Sequence, residues 1–592
     1  MTAVEIRDQL APARGSTPSD ASWPRRTLVG VLFAALLMVM LRPGWHTLSD
    51  TYPNLGDPVL LSWSISWTGH ALASNPLHLF DANIFWPHHL SLAYADNLMV
   101  LLAPFALIRA LGGSWALALN LVTIGLLLLS LASTYSLTRW LTGRTDAAII
   151  AAIGYTFNAF TIAHLGHTQL MLLGFFPLAF LLLFRFLERP TLTAACALGA
   201  MNVAIALGAL YYVAIYVLCF GVILVGYVIV RRRAVGRDMV RGFLVAGAIS
   251  LLAVPILVPY YQLGLTRPLE PDLRLQPEDL VTPAPGSFLY PGLDSRANGV
   301  PARVEHTFFP GFSTMVLAAV GVAMLIVAIV RRRGAEGGAT PTTSDVRADR
   351  QVFLALLAAA GALGIIVAIG PEARGVSMPF RYLHDHAPGF GGIRATSRLA
   401  MPGLLALAVF AGTGFASITR RWRTITAGAL AAALCGFLLL ELAAPMAHTT
   451  LPTDRATLAV YHALSKKSGG AVVELPVVDI TRQSGADYAY VEAPRMLYSS
   501  IDWHPRFNGY SGGLPDDYVT ETQTLNTFPS AGASRLMTRL RIRYAVLHVG
   551  QYQGVPQYTE AQVAGILGKL PPGARATRHG SAWLVDLAPT SS

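Results

Sequence analysis

Seven side chains in this sequence have the type and spacing to do chemistry: Asp57, Asp96, His164, His167, Glu305, Arg394 and Arg398. Asp57 lies between Gly56 and Pro58. Glycine lets the backbone turn sharply and proline can open a helix, so Asp57 is placed at the top of an expected interfacial helix over residues 59–73. There its carboxylate can act as general base toward a hydroxyl or as a metal ligand; as a helix N-cap it would be structural only. Asp96 lies further along the same loop, ahead of a second apolar helix, and suits capping equally well, with Asp81 a third carboxylate between them.

His164 and His167, three apart, share one helical or turn face, a spacing that fits metal ligation or phosphate binding. Interfacial histidines can equally do no more than satisfy lipid headgroups. Glu305 precedes Phe308-Phe309-Pro310-Gly311 and is held next to a membrane by the apolar segment that follows. The other acids of its loop, Glu270, Asp272, Glu278, Asp279 and Asp294, read mostly as solvated surface. Arg394 and Arg398, four apart on one expected helical face, present guanidinium forks that bind phosphate oxygens in pairs; the alternative is snorkelling to headgroups.

The elements that must position these groups are membrane spans. Of 592 residues 53% are hydrophobic and only 13% charged, with mean hydropathy +0.49, far from the charged quarter expected of a soluble domain. The net charge of +11 comes from 44 Lys and Arg against 33 Asp and Glu. In a polytopic membrane protein that excess reads as positive-inside bias and attraction to anionic lipid, and no nucleic-acid partner is expected. The three cysteines, Cys196, Cys219 and Cys435, lie in apolar runs without metal-ligand spacing, so they read as packing residues.

Residues 1–26 read as a disordered cytoplasmic tail. About eleven spans follow, at roughly 27–44, 114–138, 146–163 and 169–187, two within 191–230, then 243–262, 311–330, 352–370, 399–418 and 425–444. Leu98–Ala110 is too short to cross and reads as an interfacial helix. This count puts every arginine cluster, such as Arg231-Arg232-Arg233 and Arg420-Arg421, on the cytoplasmic side. The loops 45–97, 262–310 and 371–398 then fall outside, with the candidate residues on or beside them. The expected location is the inner (plasma) membrane, multi-pass, with a cytoplasmic N-terminus.

The transmembrane domain is expected over residues 27–447. From His448 to Ser592 the composition turns mixed, with β-like runs at Ala471-Val472-Val473-Glu474-Leu475 and Tyr544-Ala545-Val546-Leu547-His548-Val549 and helix-like stretches around 455–467 and 559–569. The expected architecture is a polytopic α-helical membrane protein with a C-terminal extracytoplasmic α/β domain over 448–592.

Gly56-Asp57-Pro58, Asn75-Pro76 with Ala82-Asn83-Ile84-Phe85-Trp86-Pro87, Ala163-His164-Leu165-Gly166-His167, Ile393-Arg394-Ala395-Thr396-Ser397-Arg398 and His504-Pro505-Arg506-Phe507-Asn508-Gly509-Tyr510-Ser511-Gly512 stand in a telling order. In that order the chain resembles the GT-C superfamily of integral-membrane glycosyltransferases, specifically its uncharacterised bacterial members. The resemblance covers most of the chain. It implies transfer of a hexose or pentose, with inversion, from a polyprenyl-phosphate sugar to a glycan, lipid or protein acceptor, in cell-envelope biosynthesis. Asp57 matches the family's first-loop catalytic aspartate. The acidic residue that many members carry at the outer end of the third span is replaced here by His164 and His167, which leaves a divalent cation open. The resemblance also implies that Arg394 and Arg398 hold the donor phosphate.

Two other classes remain. A lipid-linked glycan flippase or transporter would place charges mid-span, and only Glu441, late in the last span, comes near that; a non-catalytic assembly subunit would not need Asp57.

Overall fold

The computed structural model describes residues 23–41, 44–231, 236–264, 271–293, 303–335, 346–552 and 554–587; residues 1–22 of the expected tail lie outside them. Among the described residues nine helices are long and apolar enough to cross a membrane, from Trp115–Thr142 to Thr424–Leu442. Two of the eleven expected spans are shorter. Thr27–Met40 and Leu192–Ala206 fall below spanning length, because 15 residues at about 1.5 Å each reach roughly 22 Å of a 30 Å core. The apolar run 191–230 is divided unequally: Leu192–Ala206 stops at Leu207, Gly208 packs against Leu172, and Leu210–Val230 takes the remaining 21 residues. Met99–Ala110 is short, as expected.

Local chemistry accounts for the helix ends near the candidate residues. Ser114 Oγ accepts from Leu117 N and opens Trp115–Thr142, and Gly143, in the left-handed region, closes it. The next span breaks. Thr145–Thr156 ends at Phe157, and the Asn158 side chain caps the short helix Ala159–Ala163. His164 to His167 then cross to a 3-10 turn, Thr168–Gly174, before Phe175–Glu188 resumes. Such irregular backbone survives at membrane depth only where protein covers it, and residues 168–174 are all buried.

Glu441, late in the last span, accepts from Phe312 N at 2.7 Å and Ser313 N at 3.3 Å and from the Tyr290 hydroxyl at 3.0 Å. It is thereby an anionic cap on the N-terminus of Phe312–Ala335. The feature that pointed toward a transporter is a structural cap.

The C-terminal region carries a four-stranded sheet in the order Ala471–Leu475, Ile542–His548, Ala582–Asp586, Arg575–His579, its first pair parallel and the others antiparallel. It is tied to the first loop at three places. Thr51–Tyr52 pairs antiparallel with Thr449–Thr450. Segment 504–507 runs along Val472, with Phe507 N donating to Val472 O at 2.9 Å, while Trp86 N donates to Arg506 O at 2.8 Å and Arg506 N to Asn83 O at 3.0 Å. The Asn83-to-Trp86 and His504-to-Asn508 motifs are therefore paired backbone to backbone. Finally, the helix Gly485–Tyr498 packs on Asp57–Ser74, so closely that a side chain on Gly56 would meet Ala489 Cβ at 3.2 Å.

Candidate active site

Asp57 is the first residue of helix Asp57–Ser74, with Gly56 in the N-cap position and no side-chain cap bond. Its carboxylate is turned outward to two partners from distant parts of the chain. The Tyr510 hydroxyl donates to Oδ1 at 2.7 Å, and His167 Nε2 stands 3.2 Å from Oδ2. Asp57 is about a quarter exposed, so it is reachable from outside. The turn that delivers His167 needs Gly166, whose missing side chain admits the Asn54 amide; Asn54 Oδ1 in turn accepts from Gly56 N at 2.9 Å. The His167 anchor therefore has a local cause.

Burial and the Asp57 charge push the Tyr510 hydroxyl well above its ordinary range, so it remains a donor. Burial lowers His167 to about 4 against the pull of Asp57, with His164 and Arg398 adding to the fall. A neutral imidazole can turn Nε2–H toward the carboxylate. Its Nδ1 is buried and has no hydrogen-bond partner among the described residues.

Beside this triplet lies a second, deeper one. Glu305, almost fully buried, accepts from Arg398 Nε at 3.0 Å and from the Ser397 hydroxyl at 3.2 Å. His164 Nε2 stands 3.4 Å from its Oε1. His164 is oriented from the other side: Nδ1 lies 2.9 Å from Phe160 O, which can only accept, so Nδ1 carries a proton. Burial alone would raise the Glu305 carboxyl, but Arg398 and His164 outweigh it and hold it well below its usual range. The two histidine rings, 5.2 Å apart, link the triplets.

Glu305 is aimed by its own loop. His306 is bracketed by Asp279 Oδ1 at 3.1 Å and Asp272 O at 2.8 Å, both acceptors, and the Asp279 hydrogen bond raises its pKa. Asp279, expected as solvated surface, is buried for this purpose.

The arginines separate. The segment 390–400 is not one helix: 3-10 turns at Phe390–Gly392 and Thr396–Ala400 flank an extended stretch, and the α-helix begins only at Met401. Arg394 and Arg398 therefore do not share a helical face. Arg398 is buried on Glu305, with its guanidinium 5.2 Å from the Tyr211 ring. Arg394 is exposed and close enough to Tyr510 to act on it electrostatically. Asp96 has another use, since its Oδ1 accepts from Leu210 N at 2.7 Å and caps Leu210–Val230 rather than the helix that follows it in sequence. Tyr510 has no local signal of its own. It sits in a motif the sequence made conspicuous, but nothing there pairs it with Asp57.

Among the described residues no three His, Cys, Asp or Glu side chains converge as a metal set. Asp57 and His167 could supply two ligands, whereas Glu305 is saturated by Arg398 and Ser397. The donor set does not fit a divalent cation by itself, and no step below is routed through one.

No protein-family model matches the sequence, and no curated protein matches it. Among solved structures the chain is similar to the arabinofuranosyltransferase AftD from Mycobacteria, at 16% identity and a TM-score of 0.52, over 95% of this chain and 40% of that one. A mutant of AftD aligns at 15% identity and a TM-score of 0.56, over 95% of this chain and 41% of the other. The chain thus spans about two fifths of AftD's length. At such identities the likeness is one of architecture, carried by nearly the whole of this chain. The chain shares its fold with that arabinofuranosyltransferase over nearly its whole length.

Proposed function

We propose that this protein is a membrane glycosyltransferase that moves a sugar from a polyprenyl-phosphate donor to a glycan, lipid or protein acceptor at the outer face of the plasma membrane, in cell-envelope biosynthesis. The observation that carries this reading is Asp57, a partly exposed carboxylate gripped by Tyr510 and His167 at the junction of the spans and the C-terminal region. The fold supports the same reading, since a solved structure that shares it is by its name an arabinofuranosyltransferase.

In the proposed reaction an acceptor hydroxyl attacks the anomeric carbon from the face opposite the phosphate. The new C–O bond forms as the anomeric C–O(phosphate) bond breaks. The electron pair leaves with polyprenyl phosphate, and the acceptor's proton passes to Asp57. Tyr510 and His167 each leave the carboxylate an unshared lone pair and hold it in one orientation. Arg394, exposed beside Tyr510, is placed to offset the charge of the leaving phosphate. Arg398 acts from behind: paired with Glu305, it fixes the deeper triplet against which His167 rests. In this reading residues 448–592 form the outer domain that completes the site.

The test is transfer of radiolabelled sugar from a panel of polyprenyl-phosphate donors in membranes carrying wild type, Asp57→Asn or Arg394→Ala, with and without chelator. Label should enter a glycan, lipid or protein with wild type and fall by roughly 10²–10⁴-fold with Asp57→Asn, the usual contribution of a general base. Equal transfer by Asp57→Asn would sink the catalytic assignment. Loss of transfer on chelation would add a metal that these residues do not by themselves suggest.

A further inference from the structure

The C-terminal region holds a cavity of about 330 Å³ that the reaction above does not use. This lies at the low end of the roughly 300–1,000 Å³ typical of small-molecule pockets. Its wall combines three tyrosine rings, Tyr461, Tyr498 and Tyr552, with Arg495, His548 and Thr457.

What such a wall can bind follows from where its protons are already committed. The Thr457 hydroxyl donates to Asp454 Oδ2 at 2.7 Å. Tyr498 donates to Pro452 O, which leaves Tyr552 to donate to the Tyr498 oxygen at 3.1 Å. His548 Nε2 lies 2.8 Å from Glu474 Oε2. A carboxylate only accepts, so that nitrogen carries the ring's proton. Burial, with Arg495 beside it, lowers the His548 pKa, and a neutral ring leaves Nδ1 a lone pair.

Arg495 is almost wholly buried, with Nη1 donating to Glu492 Oε1 at 2.9 Å and Pro476 O at 3.0 Å and Nη2 to Gln557 Oε1 at 2.8 Å, and its charge is matched by Glu492 and by Glu474, 3.8 Å from Nε. The wall thus offers lone pairs on Thr457 Oγ1, Tyr552 Oη and His548 Nδ1, aromatic faces and the second Nη2 hydrogen of Arg495, a mixed lining whose arginine is matched by carboxylates. An anion would meet those lone pairs and a guanidinium whose charge Glu492 and Glu474 already offset. A cation would meet Arg495, with Arg506 buried just behind Tyr461 at 5.5 Å from its ring. A neutral polyol supplies hydroxyl donors on its edge and C–H surface on its face, and the size admits one ring.

The cavity also shares an element with Asp57. Helix Gly485–Tyr498 lends it Arg495 and Tyr498, while its other end packs Tyr488 against Tyr510, ring centroids 5.4 Å apart, and Ala489 against Gly56. We infer that this cavity binds one neutral sugar unit of a glycan. That the glycan is the acceptor rests on the transferase reading; the binding does not.

The experiment is saturation-transfer NMR on the full chain in nanodiscs. Ligands are neutral furanose and pyranose oligosaccharides, with uronic-acid and amino-sugar oligosaccharides as charged counterparts. The proteins are wild type, Tyr552→Ala, Ser581→Trp and Asp57→Asn. Ser581 lies exposed at the rim, so tryptophan there plugs the mouth without disturbing the buried ion pairs. At least one neutral oligosaccharide should bind wild type and Asp57→Asn alike, and lose tenfold or more in affinity with Ser581→Trp and Tyr552→Ala. If Tyr552→Ala unfolds, Ser581→Trp decides alone. The inference is overturned if no neutral oligosaccharide binds, if charged ones bind better, or if Ser581→Trp binds as wild type does. Binding by a wild type that transfers no sugar would remove the transferase reading and leave this site; transfer without binding would do the reverse.

Discussion

The Tyr510 hydroxyl donates a 2.7 Å hydrogen bond to Asp57 Oδ1 across 453 residues of sequence. One partner opens a helix of the first loop, and the other belongs to the segment that runs along the edge of the C-terminal sheet. Tyr510→Phe removes only that hydroxyl. A hydrogen bond to a charged group is worth about 1.5–3 kcal/mol, so transfer should fall about 10–100-fold, at 1.4 kcal/mol per tenfold. The unfolding temperature in detergent should stay near that of wild type. Radiolabel transfer beside a melting curve checks both, and an unchanged rate would show that the hydroxyl does not serve Asp57.

His167 gives stability a defined pH dependence. Its pKa drops from 6.5 to about 4 on folding, so between those values the unfolded chain binds a proton that the folded chain refuses. The stabilisation is complete above about pH 6.5 and is lost as pH falls toward 4. Glu305 is held well below its ordinary 4.5, so its own contribution begins to go only below about pH 4.5, at the acid end of that window. Melting temperatures measured from pH 7 to 4 should therefore decline more steeply for wild type than for His167→Gln. Parallel curves would rule His167 out as the source.

The Glu305–Arg398 pair is buried on both sides. Glu305→Gln leaves a buried guanidinium without its counter-charge, which typically costs about 3–5 kcal/mol. Replacing both, as Glu305→Gln with Arg398→Met, should recover much of that stability but not the transfer rate, because His164, whose ring meets His167, loses its carboxylate. Thermal unfolding of the single and double variants measures the coupling. Additive losses would mean that the pair does not act as a unit.

Gly509 is needed for close approach. A side chain there would stand 2.7 Å from the Phe85 ring, which is fully buried on a backbone with φ of +55° and has little room to yield. Gly509→Ala should cost about 1–3 kcal/mol through overpacking. It should also slow transfer by displacing the neighbouring Tyr510. A variant with wild-type stability and rate would show that the junction of loop and sheet is soft.

Most of the apolar spans were legible in the sequence, because the length of an apolar run is a local quantity. Met99–Ala110 was recognisable as too short to cross by that means. Leu192–Ala206 was not, since an unbroken apolar run of forty residues does not show where its helices divide. Glu441 likewise read as an isolated charge until the N-terminus of Phe312–Ala335 was set against it.

By itself the sequence determined a chain with many apolar spans and singled out Asp57, whose Gly-Pro flanks favour the helix start found there. It also made the 83–87 and 504–512 motifs conspicuous. Only the tertiary structure decided who meets whom: Tyr510 and His167 at Asp57, Arg398 and His164 at Glu305, Asp96 at a distant helix, and Arg394 apart from Arg398. The reason is physical. Spacing along the chain predicts a shared face only while the backbone keeps one helical period, and at 156–168 and 390–400 it does not. There, partners are chosen by burial, where a charge or a polar hydrogen removed from water must find its complement wherever in the sequence that lies.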